Sequence, residues 1–327
     1  MEGINKLGLV AKGILMGIAE VIPGVSGGTI AFITGIYERL INAIKGVGPD
    51  LIGVFKKDGI GGVWKQMDGW FLTFLLLGML VGVGVGVVFI SYLLEHYPEP
   101  LWAFFFGLIV ASGIYIGSKV DKWNVSSIVL VLIGFVIAFG VTMISPAEGS
   151  THPLMLFTAG AIAISALILP GVSGSFILLL MGMYVIIVPT LKEFASSPSL
   201  DEFKILAFFG IGMLFGLAIF SRILSWTFKN YKNQTLALLT GFMIGSLNKI
   251  WPWRNPEVVL NKESNQIISE NVIQFINQSK EVEFKILQEQ NVLPADYLMG
   301  ESRVMMVVLM AILGLLSVLV LSKFEKH

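Results

Sequence analysis

The sequence predicts an all-α membrane protein made of two inverted repeats, each with one re-entrant helical hairpin and three transmembrane helices. Three observations lead there. The 327 residues are 55% hydrophobic and only 13% charged, with mean hydropathy +0.82, whereas a soluble chain carries roughly a quarter charged residues. A break rich in proline and glycine, Glu20 followed by Pro23-Gly24-Val25-Ser26-Gly27-Gly28-Thr29, interrupts one apolar stretch and recurs in a second as Pro170-Gly171-Val172-Ser173-Gly174-Ser175. Each half of the chain crosses the membrane an odd number of times, so the halves face opposite ways.

Composition removes several functions. Formal net charge is zero, which argues against nucleic acid as a partner. The absence of cysteine excludes disulfides, thiolate metal sites and cysteine nucleophiles, and no pattern calls for a cofactor or metal. The N-terminus lacks a small-residue cleavage pattern and reads as unprocessed.

The first repeat covers residues 1–145. Its hairpin, 7–44, is broken at Pro23, because proline lacks an N–H and clashes with the preceding turn. Each arm is shorter than the roughly 20 residues of a full span, so a hairpin with its tip near the midplane fits better than two spans. A polar, glycine-containing loop with Lys45, Lys56, Lys57 and Lys65 follows, then helices at about 71–93, 101–118 and 125–145. The second repeat, 154–327, has its hairpin at 154–190 and helices at about 205–227, 235–250 and 304–322. A polar extracytoplasmic insertion, 251–302, separates the last two. Its Ile267, Ile268, Val272, Ile273 and Ile276 recur at near-helical spacing and predict an amphipathic surface helix. Trp251 and Trp253 read as interfacial anchors. Gly78, Gly82 and Gly86, echoed by Gly212 and Gly216, form small-xxx-small packing faces.

The duplication extends beyond the motif. At one constant offset Ser26, Gly27, Ile30, Gly35 and Tyr37 match Ser173, Gly174, Ile177, Gly182 and Tyr184. At a second offset Gly78, Gly82, Tyr97, Gly107 and Ser112 match Gly212, Gly216, Tyr231, Gly241 and Ser246. This is the inverted-repeat plan of secondary transporters, with the site where the repeats meet. With both termini in the cytoplasm, most of the 22 Lys and Arg lie inside, and the outer loops 94–100 and 146–153 have none.

Four features carry candidate chemistry. After each helix break, N–H groups at the start of a new half-helix attract an anion; Ser26, Thr29, Ser173 and Ser175 add hydroxyl donors. The competing account is that Gly and Ser only permit close helix approach. Glu20, ionisable at membrane depth, is a candidate for a coupling proton, since low dielectric penalises its charged form, and equally for a structural acceptor of hairpin N–H groups. Its counterpart is Leu167. Arg39 and Arg222 could each hold a phosphate through a planar fork. For Arg39 the alternative is pairing with Glu38 or Glu20, and for Arg222 a topogenic charge. Gly24 to Gly28 also spell the G-x-S-x-G of a nucleophile elbow, but the histidines His96, His152 and His327 all lie near segment ends.

Met16-Gly17 through Glu20, Pro23 to Thr29, Gly35-Ile36-Tyr37-Glu38-Arg39 and the second Pro-Gly-Val-Ser-Gly at 170–174 resemble the polyprenyl-phosphate transporter family, the bacterial undecaprenyl phosphate translocases. The resemblance implies a non-enzymatic flippase in the bacterial cytoplasmic membrane. It would return undecaprenyl phosphate from the outer to the cytoplasmic leaflet for envelope synthesis. Taken with that resemblance, the expected binding set is Pro23, Gly24, Ser26, Gly27, Gly28, Thr29, Pro170, Gly171, Ser173, Gly174 and Ser175, with Arg39 or Arg222 neutralising the phosphate. The residues alone also admit an ion-coupled transporter of a small soluble anion or an intramembrane serine hydrolase. Self-association into a homo-oligomer is left open.

Overall fold

A computed structural model describes residues 6–22, 25–48, 50–144, 147, 149–261, 266–278 and 284–322. Pro23 and Gly24 lie outside this set. The chain runs through α1 (Lys6–Glu20), α2 (Gly27–Ile33), α3 (Tyr37–Gly46), α4 (Asp50–Gln66), α5 (Gly69–His96), α6 (Pro98–Ser118) and α7 (Val125–Met143). It continues with α8 (Pro153–Ile168), α9 (Gly174–Leu180), α10 (Tyr184–Ser196), α11 (Leu200–Asn230) and α12 (Lys232–Ser246). Strands β1 (Arg254–Asn261) and β2 (Ile267–Ile268), helix α13 (Val272–Gln278), strand β3 (Phe284–Asn291) and helix α14 (Val304–Leu321) complete it.

Among the described residues five helices, α5, α6, α7, α11 and α14, are long and apolar enough to cross a membrane. They expose their apolar side chains: Leu80, Val88, Val136, Leu214 and Leu309 all stand on the surface, the arrangement lipid rather than water favours. The chain is a multi-pass membrane protein. The sixth expected span, α12, has only 15 residues, extended by one turn of 3-10 helix to Ile250, and falls short of the roughly 20 residues of a span.

Glycine sets the packing. Helix α5 lies on α1, where a Cβ at Gly78 or Gly82 would meet the carbonyls of Val10 or Ile14; α11 lies on α8, where one at Gly212 or Gly216 would meet Phe157 or Ala161. Similarly α7 packs on α12 through Gly134 and Gly241, and α6 on α14 through Gly107 and Gly314. The predicted small-residue faces therefore bring backbones into contact. Helix α6, the most buried of the long helices, joins α12 and the first hairpin in one core containing Ile22, Val25, Ile33, Ile109, Ile116, Leu239 and Met243.

Matched residues of the two halves adopt matched conformations. Gly35 (φ +72°) and Gly182 (φ +67°) take the left-handed turn that glycine favours, and Tyr37 and Tyr184 open the helix after each. Ser26 and Ser173 each cap a seven-residue helix. Tyr97 (φ −140°, ψ 52°) and Tyr231 (φ −139°, ψ 48°) make the same corner between long helices. Each expected hairpin segment is thus divided into three helices, with α9 and α10 bent by 110°.

Three expectations are corrected. Residues 50–66 form helix α4, with a kink at Gly59, rather than a loop; Ile52, Phe55 and Ile60 are exposed on it. The insertion is chiefly a three-stranded antiparallel sheet of order β2-β1-β3; Ile267 and Ile268 lie in a strand, and only Val272, Ile273 and Ile276 fall on a helix, α13. The tryptophans fasten this sheet to the helices instead of facing lipid. Trp253 is buried with Ala103 and Val307 and donates Nε1–H to the Ser302 carbonyl at 2.8 Å, while Trp251 donates to Val292 at 2.8 Å. The Tyr297 hydroxyl donates to Glu99 Oε1 at 2.6 Å, and burial, reinforced by Glu99, pushes its pKa up so that it stays a donor.

The close approach at α1 and α5 yields a paired expectation. Gly82→Leu forces the helices apart and lowers stability by about 1–3 kcal/mol, whereas a Cβ at Gly84 meets nothing within 4 Å. Thermal unfolding in detergent should shift down for Gly82→Leu and stay put for Gly84→Leu.

Candidate functional site

The two helix breaks meet. Helix α8 ends at Ile168, leaving its last carbonyls without intrahelical donors. The first hairpin supplies them: Ser26 Oγ lies 3.1 Å from the carbonyls of both Leu167 and Leu169, and Tyr37 donates its hydroxyl to Ile168 at 3.1 Å. In return the Gly171 N–H donates to Thr29 Oγ1 at 3.1 Å. Ser26 and Thr29 are fully buried, as is Pro170 beside them. A Cβ at Gly28 would stand 2.5 Å from the Ile168 carbonyl, so only glycine lets the tips close to this distance.

The tips differ in how their N–H groups are used. In the first, Gly27 donates to Glu20 Oε1 at 2.7 Å, Gly28 to Ser26 Oγ at 3.1 Å and Thr29 to the Ser26 carbonyl at 3.0 Å. Glu20 thus sits where an anion would sit, the structural-acceptor role anticipated for it. In the second, Leu167 replaces Glu20. Phe176 N–H reaches Ser173 Oγ at 3.4 Å, the Ser173 and Ser175 hydroxyls share a hydrogen bond of 2.9 Å, and the Gly174 and Ser175 N–H groups have no acceptor among the described residues.

Neither predicted arginine is at the tips. Arg39 grips Asp68 through Nε–Oδ2 at 2.7 Å and Nη2–Oδ1 at 3.2 Å and lies over the Phe71 ring at 4.4 Å. Its expected partner Glu38 pairs instead with Lys232 at 3.2 Å. Arg222 donates Nη1–H to the Ala218 carbonyl at 2.6 Å and packs on Gly48; among the described residues no carboxylate pairs with it. Arg39 meets Asp68 at the start of α5 and Arg222 packs on Gly48 just before α4, whereas the segment after the sheet meets the far end of α5, where Arg303 donates to the His96 carbonyl.

The cation beside the second tip is one the sequence reading passed over. A recess of about 120 Å³ is lined by Leu169, Gly171, Ser173 and Phe176 of the second hairpin, by α7, and by Ser246 and Lys249. Lys249 Nζ stands 5.1 Å from the Phe176 ring centroid. The available signal was its position: a lysine at the end of the expected helix 235–250, on the side that the charge rule leaves poor in positive residues. Among the described residues Ser26 Oγ hydrogen-bonds main-chain atoms rather than a side-chain base of the kind that activates a nucleophile.

The tip junction can be tested by its stability. Thr29→Val leaves the buried Gly171 N–H without an acceptor and should cost about 1–3 kcal/mol, while Thr29→Ser keeps the acceptor and most of the stability. Thermal unfolding in detergent separates the two.

Comparison with known proteins bears on this arrangement. Residues 16–269 match the VCA0040-like, undecaprenyl phosphate translocase-like family. A polyprenyl-phosphate transporter of Vibrio cholerae serotype O1 is 42% identical over 251 residues, covering 77% of this chain and 79% of that protein. A polyprenyl-phosphate transporter of Staphylococcus aureus is 32% identical over 269 residues, covering 77% and 88%. No solved structure matches significantly. With hairpin motifs, membrane helices and relatives in agreement, the chain belongs to the undecaprenyl phosphate translocase-like family.

Proposed function

We propose that this protein is a flippase that moves polyprenyl phosphate, undecaprenyl phosphate in a bacterium, from the outer to the cytoplasmic leaflet for reuse in envelope synthesis. The observation that carries the reading is the buried junction of the two hairpin tips. It is held across the halves by the hydroxyls of Ser26, Tyr37 and Thr29, a few polar contacts that phosphate oxygens could replace. The names of the relatives support the cargo. Its phosphate must cross hydrocarbon, where an unpaired charge is costly, while its tail can remain in lipid.

Residues 1–145 and 154–327 act as inverted repeats, each with a re-entrant hairpin. The matched turns at Gly35 and Gly182 and the reciprocal packing of α6 on α14 and α7 on α12 support this. The termini and α4 then lie in the cytoplasm and the sheet outside, in the cytoplasmic membrane. Alternating access exposes Ser26, Gly27, Gly28, Thr29, Gly171, Ser173, Gly174 and Ser175, with Pro170 shaping the second tip, to each side in turn. Lys249 neutralises the phosphate on the outer side. Arg222 and Arg39 meet it on the cytoplasmic side. Glu20 carries the coupling proton: when protonated it releases the Gly27 N–H, which frees the first tip for the phosphate. No covalent step is involved.

The test is the leaflet exchange of a labelled polyprenyl phosphate in liposomes. Ser26→Ala combined with Ser173→Ala should slow exchange at least tenfold in folded protein, and Glu20→Gln should remove its dependence on a proton gradient. Exchange that is absent in the wild type, or blocked equally by inorganic phosphate, would point to a soluble anion instead. Gradient dependence surviving in Glu20→Gln would remove the proton role.

A further inference from the structure

On the sheet face the recess beside the second tip continues into a cleft of about 390 Å³. Thr142, Phe176 and Lys249 line both spaces. The cleft walls come from the end of α7, from α9 and from the sheet, and they place two cations around one carboxylate. Arg254 Nη1 donates to Glu289 Oε2 at 2.7 Å and to the Lys249 carbonyl at 3.2 Å, and Lys249 Nζ lies 3.7 Å from the same Glu289 oxygen. Glu257 lies on the exposed rim. Arg254 is held flat over Trp102 at 4.4 Å, its side chain only 9% exposed. Its Nε is buried and has no hydrogen-bond partner among the described residues.

The geometry points to a second anion site, separate from the hairpin tips, in which Lys249 and Arg254 receive a phosphate monoester and Glu289 occupies their charge until it arrives. A guanidinium stacked on an aromatic ring, with an unused Nε–H, presents the planar fork that suits phosphate. A single carboxylate oxygen cannot use all the donors that Arg254 and Lys249 offer. A phosphate, with three free oxygens, engages Nε, Nη1 and Nζ together, and Glu289 swings to solvent, to which it is already partly open. Lys249 also lines the recess that contains Ser173, which links this site to the second tip. The assignment rests on the proposed cargo for its lipid tail, though not for the phosphate chemistry.

The full-length protein in detergent is titrated with farnesyl phosphate, with farnesol and with inorganic phosphate, by calorimetry. Farnesyl phosphate should bind and farnesol should not. Arg254→Gln and Lys249→Gln, with unchanged melting temperatures, should weaken binding at least tenfold, and Glu289→Gln should tighten it about fivefold by removing the competing anion. Inorganic phosphate displacing the lipid at equal concentration would keep the site and assign it to free phosphate. Wild-type affinity in folded Arg254→Gln and Lys249→Gln, or no gain in Glu289→Gln, would overturn the site. Glu289→Gln decides the matter even where the cation variants fail to fold. In liposomes, loss of binding without loss of wild-type exchange rates would overturn the receiving role and leave the transport reading intact; binding intact with no exchange in the wild type would do the reverse.

Discussion

A helix that stops at a buried site leaves carbonyls with no donor, and water is not there to supply one. That constraint organises this protein. The end of α8 is completed by the hydroxyls of Ser26 and Tyr37, residues of the other hairpin, and the N–H of Gly171 is completed by Thr29. The second hairpin thus depends on the first at its tip. The glycine-mediated contacts of α1 with α5 and α8 with α11 hold the two broken segments where this exchange of donors works. Bonds of this sort are individually weak in net terms, so a rigid frame can hold them closed and a competing ligand can open them.

The frame is duplicated, but its chemistry is not. Glu20 fills the first tip with a carboxylate of the chain itself; the second tip has Leu167 at that position and leaves the Gly174 and Ser175 N–H groups unused among the described residues. Two identical tips would compete equally for one phosphate. In the proposed cycle this asymmetry makes one tip a latch and the other a receiver, with protonation of Glu20 the event that equalises them.

What could be read from the sequence followed local rules. Proline with glycine and serine marked the breaks, and the recurrence of Gly35 and Tyr37 as Gly182 and Tyr184 marked turns that are in fact left-handed. Gly78 and Gly82 marked a contact with α1 because small residues have few other uses in such a helix. What could not be read depended on distant partners or weak periodicity. Arg39 finds Asp68, which sits on a left-handed turn at the start of α5, so the nearer Glu38 and Glu20 misled. Residues 50–66 contain several glycines and lysines and resembled a loop, since only an interface, not propensity, stabilises such a helix. Ile267 and Ile268 fit a helix or a strand equally in so short a run, and the partner strand β1 decides. Lys249 fell at the end of the expected helix 235–250 and Arg254 in the polar insertion, and neither stood out because the strand that brings Glu289 to them lies some way along the chain.

Three of the candidate anion-binding sites share a further property, a resident carboxylate. Arg254 and Lys249 hold Glu289, the Gly27 N–H holds Glu20 and Arg39 holds Asp68. A buried cation such as Arg254 stripped of its partner is strongly unfavourable, so a phosphate that left it empty behind it would be retained rather than released. A resident carboxylate that returns as the phosphate departs removes that penalty and makes each transfer nearly balanced in free energy. It also lowers affinity at every stage, because the phosphate must displace an anion that is already there. For a carrier this is an advantage: binding must be strong enough to draw the head group from one leaflet and weak enough to deliver it to the other, and tethered carboxylates set that limit locally.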